Sequence, residues 1–114
     1  MNSKQKGARG ERELAKALRD HGFNARRTQQ YAGYTGDASD VIGLPSIHIE
    51  CKRTERLSLY DALAQAKRDA QGKSLPTIFH RKNNSPWVVI MELDDWMKLY
   101  KAYYEELEIT EEVR

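Results

Sequence analysis

A chain of 114 residues with 39% hydrophobic and 32% charged positions can bury one core and is too short for two. No apolar run reaches the ~18 residues that span a bilayer. The basic, polar start of the chain does not read as a secretory signal, and the lone Cys51 excludes a disulfide framework or a multi-cysteine zinc site. The expectation is therefore a single cytoplasmic domain over residues 1–114, without a membrane span. Its net charge of +2 conceals a gradient: residues 1–30 hold eight Lys/Arg against three acids, residues 92–114 three against eight. A basic front suits a polyanionic partner, and an acidic end suits a solvated or self-associating face.

In chain order, residues 5–21 read as a helix, with Leu14, Ala15 and Leu18 at helical spacing and Gly22 as its stop. Residues 23–29 read as a strand and 30–36 as a Tyr/Gly-rich loop. Two strands follow, at about 39–43 and 47–53, joined by the turn Leu44-Pro45-Ser46. A second helix begins near Ser58, where Ser58 and Asp61 match a capping box. Its apolar stripe is Leu59, Ala62, Leu63, Ala66 and Ala70, and Gly72 closes it. Strands at 77–81 and 87–91 flank an Asn83-Asn84-Ser85-Pro86 turn, and an acidic helix runs from about 94 to 106, with its tail to 114. On that helix Trp96, Leu99, Tyr100 and Tyr103 are expected in the core rather than in a subunit interface. The order α-β-β-β-α-β-β-α predicts an α/β fold, a mixed sheet flanked by helices.

The informative segment is Ile47-His48-Ile49-Glu50-Cys51-Lys52. Alternation along a strand turns Ile47, Ile49 and Cys51 to one face and His48, Glu50 and Lys52 to the other. By itself this also fits a half-buried strand with an ordinary ion pair on its solvated face. Asp40, on the preceding strand, changes the balance, because an antiparallel hairpin brings its carboxylate near Glu50. Converging carboxylates repel unless a cation lies between them, and a small set of oxygen donors suits Mg²⁺ or Mn²⁺. Such a metal polarises a phosphate and lowers the pKa of bound water, and Lys52 beside it can orient the water or offset developing charge. Asp37 is read as a loop residue, His48 as a hydrogen-bonded structural histidine, and Cys51 as an unreactive buried thiol. Glu11 falls between Leu14, Ala15 and Leu18 on the first helix, where a carboxylate is costly unless paired. It either reaches solvent or a nearby arginine, or serves the metal site as an outer acid. Glu13 falls on the far, solvated side.

Asp40, nine residues and then Glu50-Cys51-Lys52 resemble the PD-(D/E)xK signature of restriction-endonuclease-like nucleases, with Ser39 where the motif has Pro. The stretch from Lys6 to Leu14, His21-Gly22-Phe23 with Arg26-Arg27, and Asp40-Val41 are similar to archaeal-type Holliday-junction resolvases and their small phage-encoded relatives, over residues 5–92. The resemblance implies a restriction-endonuclease-like core and an active site of Glu11, Asp40, Glu50 and Lys52. Metal would be held by Asp40, Glu50 and the backbone carbonyl of Cys51. It also implies a homodimer acting on four-way DNA junctions, and a phage or mobile-element origin. Gln65 resembles a glutamine that follows Glu-x-Lys in some related nucleases.

Arg12, Arg26, Arg27, Lys6 and Arg9, with Lys4, form the basic front, and many such charges give sequence-independent phosphate affinity. Arg12 and Arg27 also match family positions near the junction backbone, while Arg81 and Lys82 are weaker candidates. The loop of residues 29–36 is either a base-stacking element or an ordered surface loop. The reading reached is a Mg²⁺-dependent endonuclease for branched DNA, a Holliday-junction resolvase. Its rivals are a nuclease for flaps, nicks or plain duplex, and a DNA-binding module without catalysis.

Overall fold

The computed structural model describes residues 3–28 and 39–112, without the side chains of residues 3–6 and 112. The elements are α1 (Ser3–Asp20), β1 (Arg26–Arg27), β2 (Val41–Ile42), β3 (Ile47–Arg53), α2 (Leu59–Ala70), β4 (Leu75–Arg81), β5 (Val88–Ile90) and α3 (Leu93–Glu112). The strands form one five-stranded sheet in the order β1-β2-β3-β4-β5. β1, β2 and β3 pair antiparallel, β3 and β4 pair parallel, and β5 returns antiparallel to β4. A parallel pair needs a crossover, and α2 supplies it. The element order and mixed sheet are those expected from the sequence.

Alternation along β3 assigns the two faces of the sheet. On one side Ile49, Val41 and Phe79 pack with Leu14 and Ala15 of α1 and with Ala25. On the other, Ile78 packs with Ala62, Leu63 and Ala66 of α2. Alanines spaced four apart (Ala62, Ala66, Ala70) let α2 lie close against the sheet. On the opposite face α1 also approaches the sheet closely at Gly10. A Cβ on Gly10 would lie 2.5 Å from the Cβ of Arg53, so the close crossing of α1 over β3 requires glycine there. Gly43 has φ +127°, and a Cβ there would stand 2.5 Å from the Cα of Ala25, which fixes the spacing of the β1–β2 edge.

Several expectations change in detail. Of the strand expected over 23–29, whose last residue lies outside the described residues, Arg26–Arg27 pairs regularly among residues 23–28, because its partner β2 is itself two residues long. Ser58 does not cap α2 through a backbone amide; its hydroxyl donates to Asp61 Oδ2 at 2.7 Å. The helix ends one residue before the left-handed Gln71 (φ 52°), ahead of Gly72. α3 differs most. Trp96, Leu99, Tyr100 and Tyr103, expected in the core, are all more than 40% exposed. α1 and α2 already cover the two faces of the sheet, so among the described residues α3 finds no apolar surface on which to bury its stripe. Its aromatics stack on one another instead, Trp96 on Tyr100 at 5.2 Å between ring centroids. Among the described residues, no helix is long and apolar enough to cross a membrane.

Candidate active site

The site is built on the β2–β3 hairpin. The backbone N–H of Asp40 donates to the carbonyl of Ile49 at 3.1 Å, which sets the register and puts Asp40 at the mouth of the hairpin. Its side chain turns back into the ladder, where Oδ2 accepts the backbone N–H of Cys51 at 2.9 Å. In a strand the N–H and C=O of one residue face the same neighbour, so the carbonyl of Cys51 also looks toward the Asp40 side. One residue on either side, alternation sends Glu50 and Lys52 onto the α2 face. Glu50 is 2% exposed, and its Oε1 has no hydrogen-bond partner. Lys52 Nζ donates to Gln65 Oε1 at 3.4 Å, so α2 reaches over the strand and orients the ammonium.

Electrostatics follow from this burial. The Glu50 pKa is pushed up to about 8, first by burial and then by the charge of Asp40, with Lys52 opposing. Asp40 is raised for the same leading reason, against the lowering hydrogen bond from Cys51. Two carboxyls that resist ionisation side by side, one with an orphaned buried oxygen, form a donor set that a divalent cation would relieve. Oxygen donors of this kind fit Mg²⁺ or Mn²⁺. Burial also pushes the Cys51 thiol up, consistent with an inert sulfur.

Glu11 resolves into a paired acid. It is half-buried, and Arg27 Nε donates to its Oε1 at 2.9 Å. Burial raises its pKa most, the Arg27 hydrogen bond lowers it, and the charge of Asp40 raises it again. Glu11 is thus electrostatically linked to the hairpin while held by an arginine. Arg27, one of the expected DNA-binding residues, spends its side chain on that pair.

Of the other cations, Arg9, Arg12 and Arg26 are exposed, while the side chain of Lys6 lies outside the described residues. So do Asp37 and the loop of residues 29–36. Arg81 is committed elsewhere. Parallel register sets Arg53 beside Arg81 at the ends of β3 and β4, and both donate to Glu13, Arg53 Nε at 3.3 Å. Glu13, expected on the solvated side of α1, instead neutralises two adjacent guanidiniums and ties α1 to the sheet. Lys82 is exposed. His48, expected to be hydrogen-bonded, has its Nδ1 2.9 Å from Ser39 Oγ in a buried contact. Sequence reasoning missed one further feature. Asp69, four residues beyond Gln65 on α2, comes into the neighbourhood of His48 and Glu50. The i, i+4 spacing of Gln65 and Asp69 was the available signal.

Known proteins resemble this chain in sequence and in fold. Residues 2–113 match the family model described as "Phage putative PDDEXK endonuclease". Among solved structures, Hjc, a Holliday junction resolvase from Archaeoglobus fulgidus, an archaeal hyperthermophile, superposes with a TM-score of 0.57 at 22% identity. The match covers 73% of this chain and 74% of Hjc, and it identifies the fold as restriction-endonuclease-like. Comparison with curated proteins gives no match. The family model spans nearly the whole chain, and the chain belongs to this phage PD-(D/E)xK endonuclease family.

Proposed function

We propose that this protein is a metal-dependent endonuclease that hydrolyses phosphodiester bonds in branched DNA, four-way junctions foremost. The observation that carries the reading is the convergence of Asp40 and Glu50, both raised in pKa by burial, beside Lys52 on one rigid hairpin. A binding module has no reason to bury acids where phosphate must sit.

Asp40, Glu50 and the carbonyl of Cys51 would hold Mg²⁺, for which Mn²⁺ substitutes. When bound, the ion polarises the scissile phosphate and stabilises the departing oxyanion. The chain's own groups do the rest. The Cys51 amide fixes one oxygen of Asp40 and so orients the carboxylate that would help hold the ion. Lys52, steadied by Gln65, offers a hydrogen bond that orients the attacking water and a positive charge that offsets the charge developing on the phosphate. Glu11 acts as an outer acid whose position Arg27 holds. Arg12 and Arg26, with Arg9 and Lys6, supply the phosphate contacts that a shape-recognised substrate requires.

Junction preference is favoured by the fold shared with Hjc and by the resemblance of residues 5–92 to junction resolvases. A homodimer would place two such sites on one symmetric junction, and the exposed stripe of α3 supports a second copy as its cover. Phage family membership favours action in the host cytoplasm.

The test is incubation with a labelled four-way junction and a sequence-matched linear duplex, in Mg²⁺ or in EDTA. Paired, Mg²⁺-dependent cuts in the junction alone are expected. Equal cutting of both substrates would keep the nuclease and discard the junction preference, in favour of a nuclease for flaps, nicks or duplex. Binding without cleavage in any divalent metal would overturn the mechanism.

A further inference from the structure

On the α2 side of Glu50 lies a second cluster, separate from Asp40. One ring nitrogen of His48 and one carboxylate oxygen each from Glu50 and Asp69 all lie within 4.8 Å of one another. His48 and Glu50 are each only 2% exposed, yet His48 Nε2 and Glu50 Oε1 have no hydrogen-bond partner. Leaving such groups unpaired costs on the order of 1–3 kcal/mol apiece, and two together in one cluster point to something that engages both.

The histidine is set up as a ligand. Its Nδ1 is in contact with the hydroxyl of Ser39, a buried partner at 2.9 Å. A proton on Nδ1 donated to Ser39 leaves the lone pair on Nε2, the nitrogen without a partner. Metal-bound histidines are commonly oriented by such a hydrogen bond on the second nitrogen. Asp69 sits in the last turns of α2, only half-buried, so the cluster opens to solvent on that side.

We infer that His48, Glu50 and Asp69 form a second divalent-metal site, for a transition metal of the Mn²⁺, Co²⁺ or Zn²⁺ class, that abuts the hairpin site and shares Glu50 with it. Bonds of about 2.0–2.2 Å place donors about 3.3–3.6 Å apart around a tetrahedral ion, so binding draws the three donors, now within 4.8 Å of one another, together by up to about 1.5 Å. One imidazole and two carboxylates suit these borderline metals, whereas an all-oxygen set suits Mg²⁺. The inference rests on the proposed function in one respect, the use of Glu50 as a metal ligand. It does not depend on DNA cleavage.

The experiment is titration of the full-length protein with Co²⁺, followed by visible absorption and by paramagnetic shifts of the histidine ring protons. The wild type is expected to bind Co²⁺ with shifted His48 resonances. Asp69→Asn, a half-buried and isosteric change, should weaken that signal at least tenfold with an unchanged circular dichroism spectrum. Asp40→Asn should retain it. His48→Gln provides a second variant, expected to lose the nitrogen-ligated band while any oxygen-only binding remains. Co²⁺ uptake that survives Asp69→Asn at full affinity, is lost with Asp40→Asn and leaves the histidine protons unshifted would overturn the second site while supporting the hairpin site. No Co²⁺ uptake by the wild type would overturn the second site as well. If Mg²⁺-dependent cleavage were also absent, the nuclease reading would fall separately.

Discussion

The β2–β3 hairpin and α3 depart from the usual distribution of residues in opposite directions. In the hairpin, Glu50 and His48 occupy positions as dry as Ile49 between them. Along α3, Trp96, Leu99, Tyr100 and Tyr103 stand in solvent at positions whose spacing would suit a core. A buried carboxylate and an exposed tryptophan are each unfavourable in an isolated chain, but different partners relieve them. The first calls for a cation and a phosphate, the second for an apolar surface. The contrast separates what the hairpin is built to do from what the chain needs for folding, and each half can be tested without disturbing the other.

The largest effect is expected at Glu50. Glu50→Gln should lower cleavage by at least about 10²–10³-fold, as the loss of a group that organises transition-state charge does. With its pKa pushed up to about 8, Glu50 must take up a proton to fold at neutral pH, a cost that glutamine avoids, so the metal-free variant should melt at a higher temperature than the wild type. Loss of both activity and stability would mean that Glu50 serves the fold, and the contrast with α3 would fail.

A pH series sharpens the point. The folded-state pKa of Glu50 is raised from 4.5 to about 8. For a raised group, the favourable contribution is full below the unfolded value and is lost as pH rises through the folded one. The metal-free protein should therefore lose stability between about pH 4.5 and 8, measured as a falling urea midpoint, with Asp40 acting in the same direction. Glu50→Gln should flatten most of that slope. A wild-type midpoint that rises across this window would contradict the burial argument.

Gly10 probes the scaffold rather than the site. Gly10→Ala forces a Cβ to 2.5 Å from that of Arg53 and should cost roughly 1–3 kcal/mol of stability by overpacking. Cleavage per folded molecule should fall less than for Glu50→Gln. Denaturant unfolding with a matched activity measurement separates the two.

The smallest effect on folding is expected on α3. Trp96→Asp or Tyr100→Asp should change monomer stability by no more than about 0.5 kcal/mol, the usual range for exposed positions. Either should nevertheless weaken self-association measured by sedimentation equilibrium. A wild type that remains monomeric at high concentration would remove the second copy as the cover for this stripe.

Legibility from sequence followed the range of the interactions. β3 was readable to the residue, because the alternation of Ile47, Ile49 and Cys51 with His48, Glu50 and Lys52 is local, and the Leu44-Pro45-Ser46 turn implied the antiparallel return that sets Asp40 opposite it. Glu11 was recognisable as misplaced from helical periodicity alone, but its partner Arg27 lies 16 residues away across the sheet edge. Glu13 misled for the same reason: the paired guanidiniums that hold it exist only once β3 and β4 align Arg53 with Arg81. The approach of Asp69 to His48 and Glu50 depends on how α2 crosses over the sheet, which periodicity does not encode. On α3 the spacing indicated an apolar stripe correctly and was silent on whose surface would cover it.

If the hairpin is a site of chemistry rather than of binding alone, Lys52→Ala should separate cleavage from binding. Binding of a labelled four-way junction and its cleavage in Mg²⁺ would be measured on the same preparation of variant and wild type. Junction affinity should stay within a few-fold of wild type while cleavage falls by at least about 10²-fold. Undiminished cleavage, or cleavage lost only in proportion to lost binding, would contradict a chemical role for the hairpin.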